Sequence, residues 1–284
     1  MGFKNMRLIQ SLCIGGSVKA NEDIFGHAGK TVWVMDGATG LSDTPLLPQA
    51  PSDPSWLVEA FDDFFHMNAP RYDNDLVGLV TEGIRRVRDK FDLQRARDPE
   101  HAYELPVATL VMAHASYDTL TVLTLSDSYL IARTDSGTRL LGGDPLHEAL
   151  DAHSLKALTD LRAQGVTDLH TARQRLLPLI RQGRMKANQP GGYTALGIEP
   201  GIEAHLKVTT LPLPEQALLV SDGFSRLWDT FGAYTPESLL TAAELKGLEP
   251  LYAQLRRLED ADPDALRHPR LKKSDDATAV LVAF

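Results

Sequence analysis

Between Leu105 and Thr134 the chain runs through three short apolar stretches rich in beta-branched residues, LPVATLVMAHA, DTLTVLTL and SYLIART. Only a few residues separate them, and those carry aspartate or serine. Links this short suit antiparallel hairpins, because a parallel pair needs a crossover of about a dozen residues or more. A doubly wound parallel sheet is therefore a poor fit. Further strands are expected at MRLIQSLCI, in a hairpin IFGHAGKTVWVMD turning at His27 to Lys30, and at AHLKVTTL, ALLVSD and ATAVLVAF. The turn at Asp135 to Gly137 is expected to close the middle strand block.

Helices occupy the spaces between these blocks. Pro54 suits a first helical turn, and Leu57, Phe61, Phe64 and Phe65 follow near helical spacing. Leu76, Val80, Ile84, Val87 and Phe91 make a second apolar stripe, with charged residues on its other faces. Before them, TPLLPQAPSDP reads as an exposed proline-rich loop. A mainly helical interval spans 144–190 and is expected as an insertion or flap. A capping box is expected at Thr241 and Glu244. The order of strands, helices, strands, helices, strands, helices and strand predicts an α+β fold. Its expected form is a four-layer α-β-β-α sandwich with two central, mainly antiparallel sheets, in one domain over 1–284.

Composition narrows the function. With 38 acidic and 29 basic residues the net charge is -9, which argues against nonspecific nucleic-acid binding. Cys13 is the only cysteine, so an intramolecular disulfide and a thiolate zinc cluster are excluded. No stretch approaches the ~18 apolar residues of a membrane span, and the first residues lack a signal-peptide run. A cytoplasmic protein without a membrane partner is expected.

The chemistry lies in the aspartates. Four places put an acidic group at the edge of an apolar strand or a glycine turn: Asn21-Glu22-Asp23, Asp36-Gly37, Asp222-Gly223 and Ser274-Asp275-Asp276. A single Asp-Gly is an ordinary turn. Here Asp36 and Asp222 each follow an apolar strand that reads as buried, and a rigid strand end places a ligand accurately. Converging carboxylates repel, so they need compensation, which hard divalent cations supply through oxygen ligands. A glycine beside them lets the Gly37 carbonyl approach closely.

In the order ANEDIFG, VWVMDGATG, LTLSDSYLIART, ALLVSDGFSRLWD and SDDATAVLVAF, the chain resembles the metal-dependent protein serine/threonine phosphatase family, type 2C, over nearly its whole length. The resemblance implies a beta sandwich with a centre of two Mn2+ or Mg2+ ions. It also implies direct hydrolysis of a phosphomonoester by water bridging the two metals, with no phosphoenzyme. Asp36 then corresponds to the bridging carboxylate, Gly37 to a carbonyl ligand, and Asp222 and Asp275 to terminal ligands. Glu22 and Asp23 correspond to residues holding metal-bound waters, and Asp23 to a contributor to a third, weaker ion. Asp127, in LSDSY, matches a turn that is structural or touches that extra ion; the structural role is the first expectation. Asp36, Asp222 and Asp23 are the residues expected nearest the reaction. Asp276 stands where the family often has asparagine.

The chain also departs from that pattern. The family's phosphate-binding arginine, four residues before the glutamate, is Val18, with Lys19 beside it. The histidine after the first Asp-Gly, the family's proposed general acid, is Ala38, followed by Thr39. Losing a positioned acid costs about 10²–10⁴ in rate for a poor leaving group. Arg173, Arg181, Arg184 and Lys186 form a basic run, which is either a solvated helix face or a rim that attracts phosphate. RHPRLKK, before Asp275, reads first as a loop of solvated charges. Expected substrates are a phosphorylated protein or a small phosphorylated metabolite. A catalytically degenerate domain that binds phosphoproteins is the alternative. A serine hydrolase elbow and a His-Glu-x-x-His zinc motif are both missing.

Overall fold

The computed structural model describes residues 6–17 and 20–284. Its strands are β1 (Arg7–Ile14), β2 (Asp23–Ala28), β3 (Thr31–Gly37), β4 (Ala108–Ala115), β5 (Thr119–Leu125), β6 (Tyr129–Thr134), β7 (Gly137–Leu141), β8 (Lys207–Pro212), β9 (Gln216–Val220) and β10 (Ala277–Ala283). The helices are α1 (Asp53–Tyr72), α2 (Leu76–Gln94), α3 (Pro145–Ala163), α4 (Leu169–Arg184), α5 (Asp222–Ser225), α6 (Pro236–Lys246) and α7 (Leu248–Asp260). The strands make two five-stranded sheets, ordered β2-β3-β4-β5-β8 and β1-β10-β9-β6-β7. All neighbouring strands within them are antiparallel.

Period-two alternation builds the layers. In β3, Val32 and Val34 point between the sheets, where they meet Leu130, Leu219 and Val282. Trp33 and Met35 point the other way, onto Phe61 and Phe65 of α1 and, with them, the apolar stripe of α2. In β9, Leu218 and Val220 pack against Leu239 of α6 and Leu251 and Leu255 of α7. The result is the α-β-β-α sandwich expected from the sequence.

Several local expectations are corrected. Only the first link in the middle block is a hairpin, between β4 and β5. The second, through Ser126 and Asp127, carries the chain from one sheet to the other, and Ser126 adopts a positive φ of 60° in making the crossing. Asp135 to Gly137 does not close the block, because β7 follows directly and pairs with β6. The capping box sits at Thr235 and Ser238, where Pro236 opens α6. Thr241 and Glu244 lie inside that helix and hold Arg133 of β6 instead. The proline-rich stretch is not simply an exposed loop, since Leu46 and Leu47 are fully buried. The Asp53 carboxylate accepts both of their backbone N–H groups, each at 2.8 Å.

The interval after β7 is helical, as expected. Leu158 of α3 and Ala172 and Leu176 of α4 form a small core of their own, with Leu271 packed against it. Among the described residues, no helix is long and apolar enough to cross a membrane.

Candidate active site

The hairpin register brings the first two acidic positions together. Ala28 pairs with Thr31 around a tight turn, Gly29 takes a φ of 60° there, and the ladder then sets Asp23 directly opposite Asp36. By alternation Asp36 shares its face with Val32 and Val34, so it emerges between the sheets at their edge. From the other sheet, β9 ends at Val220 and α5 begins at Asp222. Asp36 and Asp222 approach there closely enough for each to bear on the other's ionisation. Asp275 and Asp276 come from the loop just before β10.

Two glycines allow this closeness. A Cβ on Gly37 would lie 2.8 Å from the Glu22 carbonyl oxygen and 2.9 Å from Pro54 Cβ. The Gly37 N–H instead donates to that Glu22 oxygen at 2.8 Å. A Cβ on Gly223 would collide with the Asp276 carbonyl oxygen. Glycine thus serves backbone packing at both positions.

Asp276 has a scaffolding part. Its carboxylate accepts the backbone N–H groups of Gly16 and Glu22, each at 2.7 Å, and so pins the acidic loop. Glu22 is held further by the Thr39 hydroxyl at 2.8 Å. Burial pushes its carboxyl up from the usual range.

Charge is compensated unevenly across the site. Asp275 accepts Lys272 Nζ at 2.6 Å on one oxygen and Arg226 Nη2 at 2.7 Å on the other. Burial opposes its ionisation, but these two cations hold it below the usual carboxylate range. Among the described residues, Asp23, Asp36 and Asp222 have no such partners. Both carboxylate oxygens of buried Asp23, and one of Asp222, lack a hydrogen bond among the described residues. Burial pushes Asp23 to about 8, with Asp222 and Asp276 adding to the effect; the nearby Ser221 and Thr278 hydroxyls, outside hydrogen-bonding geometry, oppose it only in part. Burial together with Asp275 and Asp127 pushes Asp222 to about 7. Asp36 is raised well above its ordinary value by burial and by its acidic neighbours Asp222 and Asp23. Buried carboxylates with orphaned oxygens are costly unless protonated or bound to a cation. The donor set is all oxygen, which suits magnesium or manganese.

A pH prediction follows. Asp23 and Asp222 have folded values above their unfolded ones, so the folded chain binds extra protons between about 4 and about 8. Their contribution to stability is complete below that window and is lost as pH rises through it. In chelator, the melting temperature should therefore fall from mildly acidic to mildly alkaline pH. Saturating manganese should largely remove that slope, because the metal takes the protons' place. Thermal melts with and without metal across that range check both statements.

Asp127 enters from the sheet-crossing turn and bears electrostatically on Asp222. His147 of α3 stands 3.1 Å from it. Burial works against a charged ring there, yet Asp127 outweighs it and lifts His147 to about 9. Ligand atoms of Asp127, His147 and Asp151 all lie within 4.8 Å of one another, a separation compatible with a metal ion. His147 also stacks on Tyr193, with ring centroids 4.6 Å apart. Nothing in the spacing of His147 along the chain marks it as a neighbour of Asp127.

The basic residues divide. Arg181 donates to the Leu41 carbonyl at 2.9 and 2.7 Å. Arg184 donates to the carbonyls of Ala38 at 3.2 Å and Thr39 at 3.4 Å. Both clasp the loop that follows Asp36-Gly37, so α4 does not present a purely solvated face. The run before Asp275 is likewise not a loop of solvated charges, since Arg270 is buried against Asp262 at 3.0 Å and Lys272 reaches Asp275. Val18 and Lys19 lie outside the described residues. Arg226, within the SRLWD stretch, carries no sequence signal for its buried role.

No family model matches the chain, and no curated protein matches it. Solved structures do. The Mycobacterium tuberculosis serine/threonine phosphatase PstP/Ppp superposes with a TM-score of 0.56 at 16% identity, covering 99% of each chain. The catalytic domain of the serine/threonine phosphatase PstP in complex with two manganese ions gives 0.52 at 15% identity, over 98% of each chain. PppA of Pseudomonas aeruginosa gives 0.56 at 21% identity, over 99% of each chain. The fold is therefore that of the bacterial serine/threonine phosphatases of the PPM type, the type 2C architecture expected from the motifs. At these identities the likeness establishes the architecture, and the chemistry rests on the site.

Proposed function

We propose that this protein is a metal-dependent phosphomonoester hydrolase acting on phosphoserine or phosphothreonine in proteins. One observation carries the reading. Three carboxylates from opposite sheets, Asp23, Asp36 and Asp222, converge at the sheet edges, and among the described residues both oxygens of Asp23 and one of Asp222 have no hydrogen-bond partner. A degenerate phosphoprotein-binding domain would have no use for such crowding, whose cost is relieved at neutral pH by protonation or by a bound cation.

Asp36, Asp222, Asp275 and the Gly37 carbonyl are the residues that would hold two divalent cations, manganese or magnesium, with Glu22 and Asp23 ordering water around them. Bound there, the pair would supply Lewis-acid stabilisation of the phosphoryl oxygens and a nucleophilic water at neutral pH. The chain's own residues do the positioning. β3 and the short α5 set Asp36 and Asp222 from opposite sheets, and Asp276 fixes the Glu22 loop. Arg184 and Arg181 hold the segment from Ala38 to Leu41 against α4. Asp127, with His147 and Asp151, offers the position for a third, weaker ion.

The test is hydrolysis of an aryl phosphate with manganese, with magnesium and with chelator, followed by a phosphopeptide panel against a panel of small phosphorylated metabolites. Turnover that needs metal and favours phosphopeptides is expected. Turnover that persists in chelator rejects the site, and a preference for metabolites moves the substrate to the small-molecule class.

A further inference from the structure

Lys272 and Lys273 are adjacent but face opposite ways. Lys273 reaches Asp260 at 2.7 Å on the surface. Lys272 turns inward to Asp275 at 2.6 Å, and its charge also bears on Asp222, Asp36 and Glu22. Of the adjacent pair, Lys272 is the one that looks onto the acidic cluster.

Asp275 is shared by two cations whose attachments differ. Arg226 is anchored on its far side by Glu259 at 3.1 Å, and Glu259 is itself held by Arg256 at 2.6 Å. Among the described residues, Asp275 is the only ion-pair or hydrogen-bond partner of Lys272. A divalent cation on Asp275 would repel an ammonium bonded to the same oxygen at short range. The cation free to yield is Lys272, since Arg226 is fixed by the network behind it. Once displaced, the Lys272 ammonium stands beside the cluster with a side chain still partly open to solvent. It then needs an anion, and the anion this site admits is a phosphoryl group. Val18, where the resembled family places its phosphate-binding arginine, is apolar and offers no charge for that task.

We infer that Lys272 is an exchange cation: it neutralises Asp275 while the site lacks metal, and binds a phosphoryl oxygen of the substrate once metal takes Asp275. The inference rests on the phosphatase reading and assigns that site's phosphate-binding group to the loop between α7 and β10.

Two measurements on the full chain test it: manganese titration by calorimetry, and inhibition of aryl phosphate hydrolysis by inorganic phosphate. A charge-assisted contact of this kind sets the expected size of the change at about tenfold or more. Lys272→Met should bind manganese more tightly by that factor, because the competing cation is gone. It should also bind phosphate more weakly by a similar factor, with KM rising more than kcat falls. Lys272→Arg should restore phosphate binding, and Lys273→Met should leave both measurements at the wild-type value. If Lys272→Met does not fold, Lys272→Gln carries the same two readouts. Unchanged phosphate inhibition in Lys272→Met or Lys272→Gln, or manganese affinity that fails to rise in them, overturns the exchange while leaving the phosphatase reading standing. A wild type that binds no manganese overturns both.

Discussion

Asp36→Asn should abolish phosphatase turnover while leaving the metal-free protein folded and at least as stable as the wild type. The two halves of this expectation have one cause. Asp36 is raised well above the ordinary carboxylate value by burial and by Asp222 and Asp23, so without metal its neutral form is favoured. Asparagine imitates that neutral form in size and shape, and it removes one charge from a crowd of carboxylates. In chelator at neutral or alkaline pH, the variant should melt no lower than the wild type. The same change removes the carboxylate best placed to face both sheets' ligands, so metal should no longer stabilise the fold by mass action. Metal-assisted stabilisation of phosphoryl transfer supplies several kcal/mol, so the loss of turnover should be about 10³-fold or more. Melting curves with and without manganese, and steady-state rates on the same preparations, check both halves. A variant that keeps activity, or that loses its fold in chelator, contradicts the roles given to Asp36.

Glu259→Ala should give the largest loss of stability, at a residue outside the carboxylate cluster. Glu259 is fully buried and joins Arg226 at 3.1 Å and Arg256 at 2.6 Å. Arg226 continues to Asp275 at 2.7 Å, and Arg256 donates to the Asp275 carbonyl, also at 2.7 Å. Arg270 donates to the Glu259 carbonyl at 3.2 Å. The network ties α7 to the end of α5 and to the loop before β10. Removing one member of a buried ion network strands its partners, at a cost of about 3–5 kcal/mol. Arg226 would be left buried with one carboxylate fewer. Glu244→Ala is the comparison: its partner Arg133 is half exposed, and such pairs contribute about 1 kcal/mol or less. Urea denaturation of the two variants in chelator checks the contrast, and equal losses would show that the buried network carries no special weight.

How far the sequence alone reaches depends on whether periodicity governs the segment. The layers were legible because β3, β4 and β9 alternate between the inter-sheet core and the flanking helices, as Val32, Val34, Trp33 and Met35 do. Asp36 and Asp222 were legible as strand-end carboxylates for the same reason. The pairing of Asp23 with Asp36 follows from the tight turn at Gly29, which fixes the register of everything behind it. Other features carry no such signal. The crossing at Ser126 has the same short length and composition as a hairpin, and its destination is decided by which sheet accepts β6. β7 is short and largely exposed, so it has no buried face to show. The helix cap fell at Thr235 rather than Thr241 because Pro236 is preorganised for a first turn, a preference stronger than the spacing of Thr241 and Glu244.

The loop from 261 to 276 has no periodicity at all. Nothing in the letters distinguishes the buried Arg270 and inward Lys272 from the outward Lys273; tertiary pairing with Asp262, Asp275 and Asp260 makes the difference. The association of His147 with Asp127 likewise depends on how α3 packs across the sheet-crossing turn.

Locating manganese in crystals of the wild-type protein soaked with that ion bears most directly on this account. Two ions sharing Asp36, with Asp222 and Asp275 as ligands and Lys272 moved off Asp275, is the predicted result. Ions found only beside Asp127, His147 and Asp151, or none at all between the two sheets, would contradict it.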